Sequence, residues 1–247
     1  MKKPTIISVD LACRDYSDIG IAVLSGPSDK IAVELVKPAQ YHLTGEPSAT
    51  DLADRLKQLC YERKSQVLII DGPQAWKEAD NGLEHCRCCE RKLNTPAKTG
   101  LPYCVKPRSY KRFVSFSVEV FNELQKNGFR LLQGENDYPA KNEVLALESF
   151  PLAAWKELKI IPLLAKTKAT NADINECLER LKCIYPLNIS DLSTPSHDEL
   201  QAIVMGIAGI SFLQRDTAGY KLTGKPPVEI DGIKREGFII IPTHAQR

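Results

Sequence analysis

"LIIDGP", residues Leu68–Pro73, decides how this 247-residue chain is read. An apolar run fit to be buried on both faces ends on a carboxylate, with Gly-Pro directly behind it. A buried strand avoids charge, and in open parallel sheets ligand sites gather at the carboxyl ends of the strands. The question is whether other acids stand at comparable strand ends. Three do so or come close. Asp10 ends "TIISVD", Glu148 ends "EVLALE", and Asp198 lies in the first turn of a helix that begins at "TPSHDEL".

The surrounding pattern predicts the order of elements. "TIISVDLA" is β-branched and apolar, and "IGIAVLSG" and "KIAVELV" are joined by the turn residues "GPSD", so a hairpin follows the first strand. "SATDLADRLKQLCYERK" has a helical period with Ser48 as N-cap. "QVLIIDGP" is the next strand. "SYKRFVSFSVEVFNELQKNGF" reads as a helix stopping at Gly128. "FRLL" and "EVLALESFP" are strand candidates, and "PLAAWKELK" and "NADINECLERLKCIY" read as helices. "TPSHDELQAIVMGIAGISFLQ" is a long apolar helix starting from Thr194 with Pro195 in its first turn. "PVEIDGIKREGFIIIP" is a hairpin turning near Asp231-Gly232. A hairpin feeding parallel strands with helical crossovers is a mixed α/β sheet, most economically one domain over 1–247.

Composition narrows the class. Apolar residues at 43% and charged residues at 26% suit a soluble globular domain, and the net charge of +2 selects no partner. No stretch approaches the roughly 20 apolar residues of a membrane span. "MKKPTIISVD" lacks the apolar core of a signal peptide. Eight cysteines without an export signal are then expected as free thiols, and the location as cytoplasmic.

Several carboxylates brought together repel and raise one another's pKa values. A hard divalent cation such as Mg²⁺ or Mn²⁺ relieves that cost, and one or two such ions support phosphodiester hydrolysis. Other readings stand beside this one. Asp71 can serve a turn by bonding the backbone, and Ser196 with Glu199 can form a capping box that leaves Asp198 only a helix-dipole role.

Taken in order, "SVDLA", "LIIDGP", "LESFPLAAW" and "SHDELQAIVMGIAG" resemble the motifs of a family of predicted nucleases, a domain of unknown function in the ribonuclease H-like superfamily. The resemblance spans about Ile6 to Ala208. It implies a ribonuclease H-like mixed sheet, three antiparallel strands then parallel ones, flanked by helices. It also implies an acidic two-metal phosphodiesterase centre, with Asp10, Asp71, Glu148 and Asp198 as metal ligands and His197 as a further catalytic residue. The chain departs from the family at Ser8, where Gly is frequent, and at Gln201, where a second Asp is frequent.

A Cys-rich basic insertion at about 77–108 interrupts the pattern. From Arg87 to Arg112 the chain has eight basic residues (Arg87, Arg91, Lys92, Lys98, Lys106, Arg108, Lys111 and Arg112) and one acid, Glu90. With Tyr103, Tyr110 and Phe113 among or beside them, these residues suit a nucleic-acid backbone, or simply a solvated loop. Cys86 and Cys89 form a C-x₂-C pair with Cys104 downstream, but the second close pair typical of structural zinc is missing, so Zn²⁺ is not expected.

The expectation is a divalent-metal-dependent nuclease or phosphodiesterase acting on nucleic acid or a nucleotide, with no membrane partner. The alternative is a protein of the same fold that binds nucleic acid or a nucleotide without turnover. A nucleotide phosphatase or sugar-phosphate enzyme is a third reading.

Overall fold

In a computed structural model, which describes residues 3–190 and 194–243, the apolar runs assemble into one nine-stranded mixed sheet. β1 (Thr5–Asp10), β2 (Gly20–Ser25) and β3 (Ile31–Val36) form an antiparallel meander. α1 (Ala49–Arg63) then crosses over to β4 (Val67–Asp71), parallel to β1. Ser48 caps α1, its hydroxyl accepting from the Asp51 amide at 3.3 Å. α2 (Cys88–Leu93) and α3 (Lys111–Lys126) precede the short β5 (Arg130–Leu131) and β6 (Leu145–Ser149), which runs parallel to both β4 and β5. α4 (Pro151–Glu157), α5 (Asn171–Ile184) and β7 (Leu187–Ile189) follow, and β7 pairs parallel to β3 at the far edge. α6 (His197–Leu213) leads into the hairpin of β8 (Tyr220–Ile230) and β9 (Ile233–Pro242). The strand order is β7-β3-β2-β1-β4-β6-β9-β8, with β5 beside β6. Three antiparallel strands followed by parallel ones is the ribonuclease H-like arrangement expected, completed by the C-terminal hairpin.

The pleat sorts the core into two layers. Ile6, Val67, Ile69, Leu145 and Leu147 face α4, α5 and α6, whereas Ile7, Val9, Leu68, Ile70 and Ala146 face α1 and α3. α6 is the central support: from Asp198 to Phe212 every residue except Gln201 is buried. Gly206 and Gly209 let it lie against Ile6, Leu24 and Ile69, where a Cβ would come within 2.6 and 2.8 Å of the nearest side-chain atoms. The hairpin turns where expected, with positive φ at both Asp231 (51°) and Gly232 (71°), the conformation that matches strand twist.

Two boundaries differ from expectation. α6 is capped by Ser196, not Thr194: the Glu199 amide donates to Ser196 Oγ (3.3 Å) and the Ser196 amide to Glu199 Oε2 (2.8 Å). This is the capping box the sequence also allowed; it satisfies two donors and outcompetes a start two residues earlier. The segment at 77–108 is also less loop-like than expected. It contains α2 and is tied to β9 by Glu236, which accepts from the Cys88 amide (2.9 Å).

Candidate metal centre

Beyond Val9 and Ile70, the last paired residues of β1 and β4, the next row brings Asp10 and Asp71 side by side on the α6 face. The residues behind Asp71 explain the motif. Gly72 has φ +131°, and a Cβ there would lie 2.4 Å from Ser117 Oγ of α3. Only glycine lets the chain turn beneath that helix. The Ser117 hydroxyl then donates to the Pro73 carbonyl at 3.0 Å. Strand end, glycine turn and helix contact together fix the Asp71 carboxylate at the sheet edge.

Asp198 arrives from the first turn of α6. Gly20, the partner of Asp10 across β1 and β2, makes room for it: a Cβ at Gly20 would stand 2.2 Å from the Asp198 carbonyl carbon and oxygen. Both are backbone atoms and cannot swing away, so Gly20→Ala is expected to push the α6 N-terminus outward. The expected cost is about 1–3 kcal/mol of stability, typical of overpacking, with a further loss of divalent-cation affinity. Urea unfolding and calorimetric Mn²⁺ titration of the variant check both; unchanged affinity would mean that the close approach does not place Asp198.

Asp10, His197 and Asp198 present ligand atoms within 4.8 Å of one another, the one such group among the described residues. Burial raises the Asp10 carboxyl well above its ordinary range, and the charges of Asp71 and Asp198 raise it further. Asp71 is pushed up to about 7, first by burial and then by the Glu148 charge. Asp10 and Asp71 share a hydrogen bond, so a proton is held between the two carboxylates as a pair. Asp198 goes the other way. Burial opposes its ionisation, but bonds from His197 and Lys166 hold it below the ordinary carboxylate range.

His197 is a bridge. Its Nε2 lies 3.0 Å from the Leu164 carbonyl oxygen, which can only accept, so Nε2 bears a hydrogen. Nδ1 lies 3.0 Å from Asp198 Oδ1. A carboxylate also only accepts, so this bond needs a hydrogen on Nδ1, which the ring would have to give up before that nitrogen could ligate an ion. Lys166, in the segment between α4 and α5, sets its ammonium on Asp198 Oδ2 and on Asp18 Oδ1 (2.7 Å), placing a positive charge at the rim of the group. Neither Lys166 nor Asp18 carried a sequence signal, since "LLAKTKAT" has no period and no motif.

Glu148 stands near Asp71, raising its pKa by its charge and lining the same cleft, but its oxygens are taken up elsewhere. It pairs in register with Ile70, one residue before the Asp10–Asp71 row. Arg87 donates to both Glu148 oxygens (2.6 and 2.7 Å) and the Gln74 amide donates to Oε2 (2.9 Å). Arg87, expected to meet nucleic-acid phosphates, is 1% exposed and also binds Glu90 at 3.0 Å. Lys98 is turned inward as well, onto the Thr95 and Glu90 carbonyls. Arg91, Lys92, Lys106, Arg108, Lys111 and Arg112 remain exposed, Arg112 paired with Glu46 at 2.7 Å. Gln201 does not face the carboxylates freely, because its Oε1 accepts from Trp155 Nε1 at 2.6 Å. Cys89 is buried, Cys86 half-buried and Cys104 exposed, and among the described residues they are not gathered as ligands.

Beside the carboxylates lies a cleft of about 390 Å³, bounded by the loop after β1, the DGP turn, the end of β6 and the start of α3. No helix among the described residues is long and apolar enough to cross a membrane.

No protein-family model and no curated protein matches the chain. Among solved structures it is similar to RuvC of Thermus thermophilus. A structure of that protein gives 12% identity and a TM-score of 0.41, over 90% of this chain and 99% of that one. Its complex with a Holliday junction substrate gives 14% identity and a TM-score of 0.38 over the same shares. Values this low transfer no residue's role to this chain.

Proposed function

We propose that the protein is a divalent-metal-dependent nuclease or phosphodiesterase. The observation that carries this reading is the convergence of Asp10, Asp71 and Asp198 at the carboxyl edge of the sheet, with His197 Nδ1 turned toward them. The donor set fits Mg²⁺ or Mn²⁺: hard carboxylate oxygens, a cost of mutual repulsion that a cation removes, and an ammonium resting where positive charge is wanted. Asp10, Asp71 and Asp198, with His197, would hold one or two ions. When bound, the ion supplies Lewis acidity and neutralises charge on the scissile phosphate.

The rest of the chemistry belongs to the chain. Lys166, once released from Asp198, would be free to meet a phosphate oxygen. Arg108, Lys111 and Lys106 are exposed in the segment leading into α3, where a phosphate backbone would be neutralised. Glu148, with both oxygens occupied, acts at one remove: through the Gln74 amide it holds the chain just past the DGP turn and so steadies Asp71. The test is diffraction from crystals soaked in Mn²⁺, together with incubation of the protein with oligonucleotides in Mg²⁺ and Mn²⁺. An anomalous peak bounded by Asp10, Asp71 and Asp198, and metal-dependent cleavage, are expected. No peak there and no cleavage would sink the reading.

A second reading, nucleic-acid binding without turnover, is favoured by Gln201. It stands where a further acid would add charge, and its amide oxygen is engaged by Trp155. Salt-sensitive oligonucleotide binding with no cleavage in either metal would establish it.

A further inference from the structure

We propose that the cleft beside the carboxylates is a pocket for one unpaired nucleobase, gripped by stacking and indifferent to which base it holds. The proposal rests on the phosphodiesterase reading and adds the form of its substrate. Four features carry it.

The first is size. About 390 Å³ is at the lower end of the roughly 300–1,000 Å³ of small-ligand pockets and admits a single nucleotide, not a duplex. The second is the wall. Phe113, Phe150, Tyr110, Pro73, Pro96 and Ala97 line it, giving flat aromatic and apolar surfaces to a base. The third is that five of its polar side chains are already committed. Ser149 Oγ donates to the Ile240 carbonyl (2.6 Å), Thr95 Oγ1 donates to the Ala97 carbonyl (2.7 Å), and Arg87, Glu90 and Glu148 bind one another. Little hydrogen-bonding capacity is left to read a base edge, so recognition falls to the π-face that every base has. The fourth is the mouth. Asp71 and Asp18 belong to the same cleft, so a base inside it sets its own phosphate beside the carboxylates. Arg14, exposed on the same wall and in no ion pair among the described residues, is placed for that phosphate.

A base in a duplex cannot reach this position without leaving its stack, which is least costly at an end, a mismatch or a single strand. The substrate is therefore a single-stranded or frayed polynucleotide, acted on at the phosphate next to the captured base.

The experiment measures binding of a single-stranded oligonucleotide with a fluorescent purine analogue at one end. An otherwise identical strand is abasic at that position. Both are titrated in Ca²⁺, an oxygen-liganded cation. Quenching of the analogue is expected, with about tenfold weaker binding of the abasic strand and less than about threefold variation among the four natural bases there. Phe113→Ala should reduce the quenching. So should Ala97→Leu, which removes no aromatic ring and only narrows the cavity, keeping the test valid if the first variant folds poorly. Equal affinity for intact and abasic strands, no quenching, or no binding of either strand overturns the pocket. The two readings fail separately. Cleavage in Mn²⁺ with equal abasic affinity leaves the phosphodiesterase and removes the pocket, whereas quenching without cleavage in Mg²⁺ or Mn²⁺ leaves the pocket and removes the phosphodiesterase.

Discussion

Asp71→Asn is expected to lose the proposed metal-supported cleavage by at least about a hundredfold to a thousandfold, the scale of removing one key electrostatic group from an active site, yet to be more stable than the parent protein without metal at neutral pH. The two effects have one cause. In the folded chain the Asp71 carboxyl titrates near 7, above its ordinary 3.8, so the native state holds protons that the unfolded state has released. A raised acid pKa means stability is greatest at low pH and is lost as pH rises from about 4 through about 7. Asparagine cannot ionise and escapes that loss. Because Asp71 is half-buried in the cleft, the gain is discounted to on the order of 2 kcal/mol, or about 5 °C in Tm. Melting curves of the parent and variant in EDTA from pH 4 to pH 8 should converge at the acid end and separate at the neutral end. Added Mn²⁺ should close the gap by raising the parent alone. A variant less stable than its parent at neutral pH, or equal activity in the two, would contradict this account of Asp71.

The second large effect is structural. Arg87→Ala removes the single cation between Glu90 and Glu148, leaving two buried carboxylates whose main partner is gone. Breaking a buried pair from one side costs about 3–5 kcal/mol, a large share of the stability of a domain this size. The slack would also pass through Gln74 to the DGP turn. The double variant Arg87→Met with Glu148→Gln should recover part of the loss, since exchanging both charges removes the uncompensated one. Equilibrium urea unfolding of the single and double variants reads this directly; a cost below about 1 kcal/mol for Arg87→Ala would mean that water reaches the triad.

Much of the fold was legible because its strands are marked by β-branched runs and its turns by glycine. Ser48, Gly128 and Asp231-Gly232 each mark a boundary that local chemistry alone sets. β7 was missed because three residues behind Pro186 have no period to read. At the site, Asp10, Asp71 and Asp198 could be found from where they end or begin elements. Glu148 ends its strand in the same way, and its engagement by Arg87 is a tertiary contact without a local signal. Lys166 and the inward turn of Arg87 are tertiary facts, produced by packing that no local pattern announces. Ser8 is a further case. It lies on the α6 face, fully buried and with its hydroxyl unpartnered, at a position where a glycine would carry no such cost.

The burial of α6 beneath β1, β2 and β4 also sets a timetable. On the ribosome, Asp10 and Asp71 emerge together with their strands and hairpin. Asp198 and the helix that fills the layer under those strands follow only after α3, α4 and α5 have been made. Until α6 docks, the sheet has an unfilled underside and the third carboxylate is absent. A chain still being translated therefore carries the first two acids without the centre they belong to. If the centre cleaves as proposed, its nucleolytic competence begins with that late docking step, once synthesis has moved well beyond the strands that hold the first two acids.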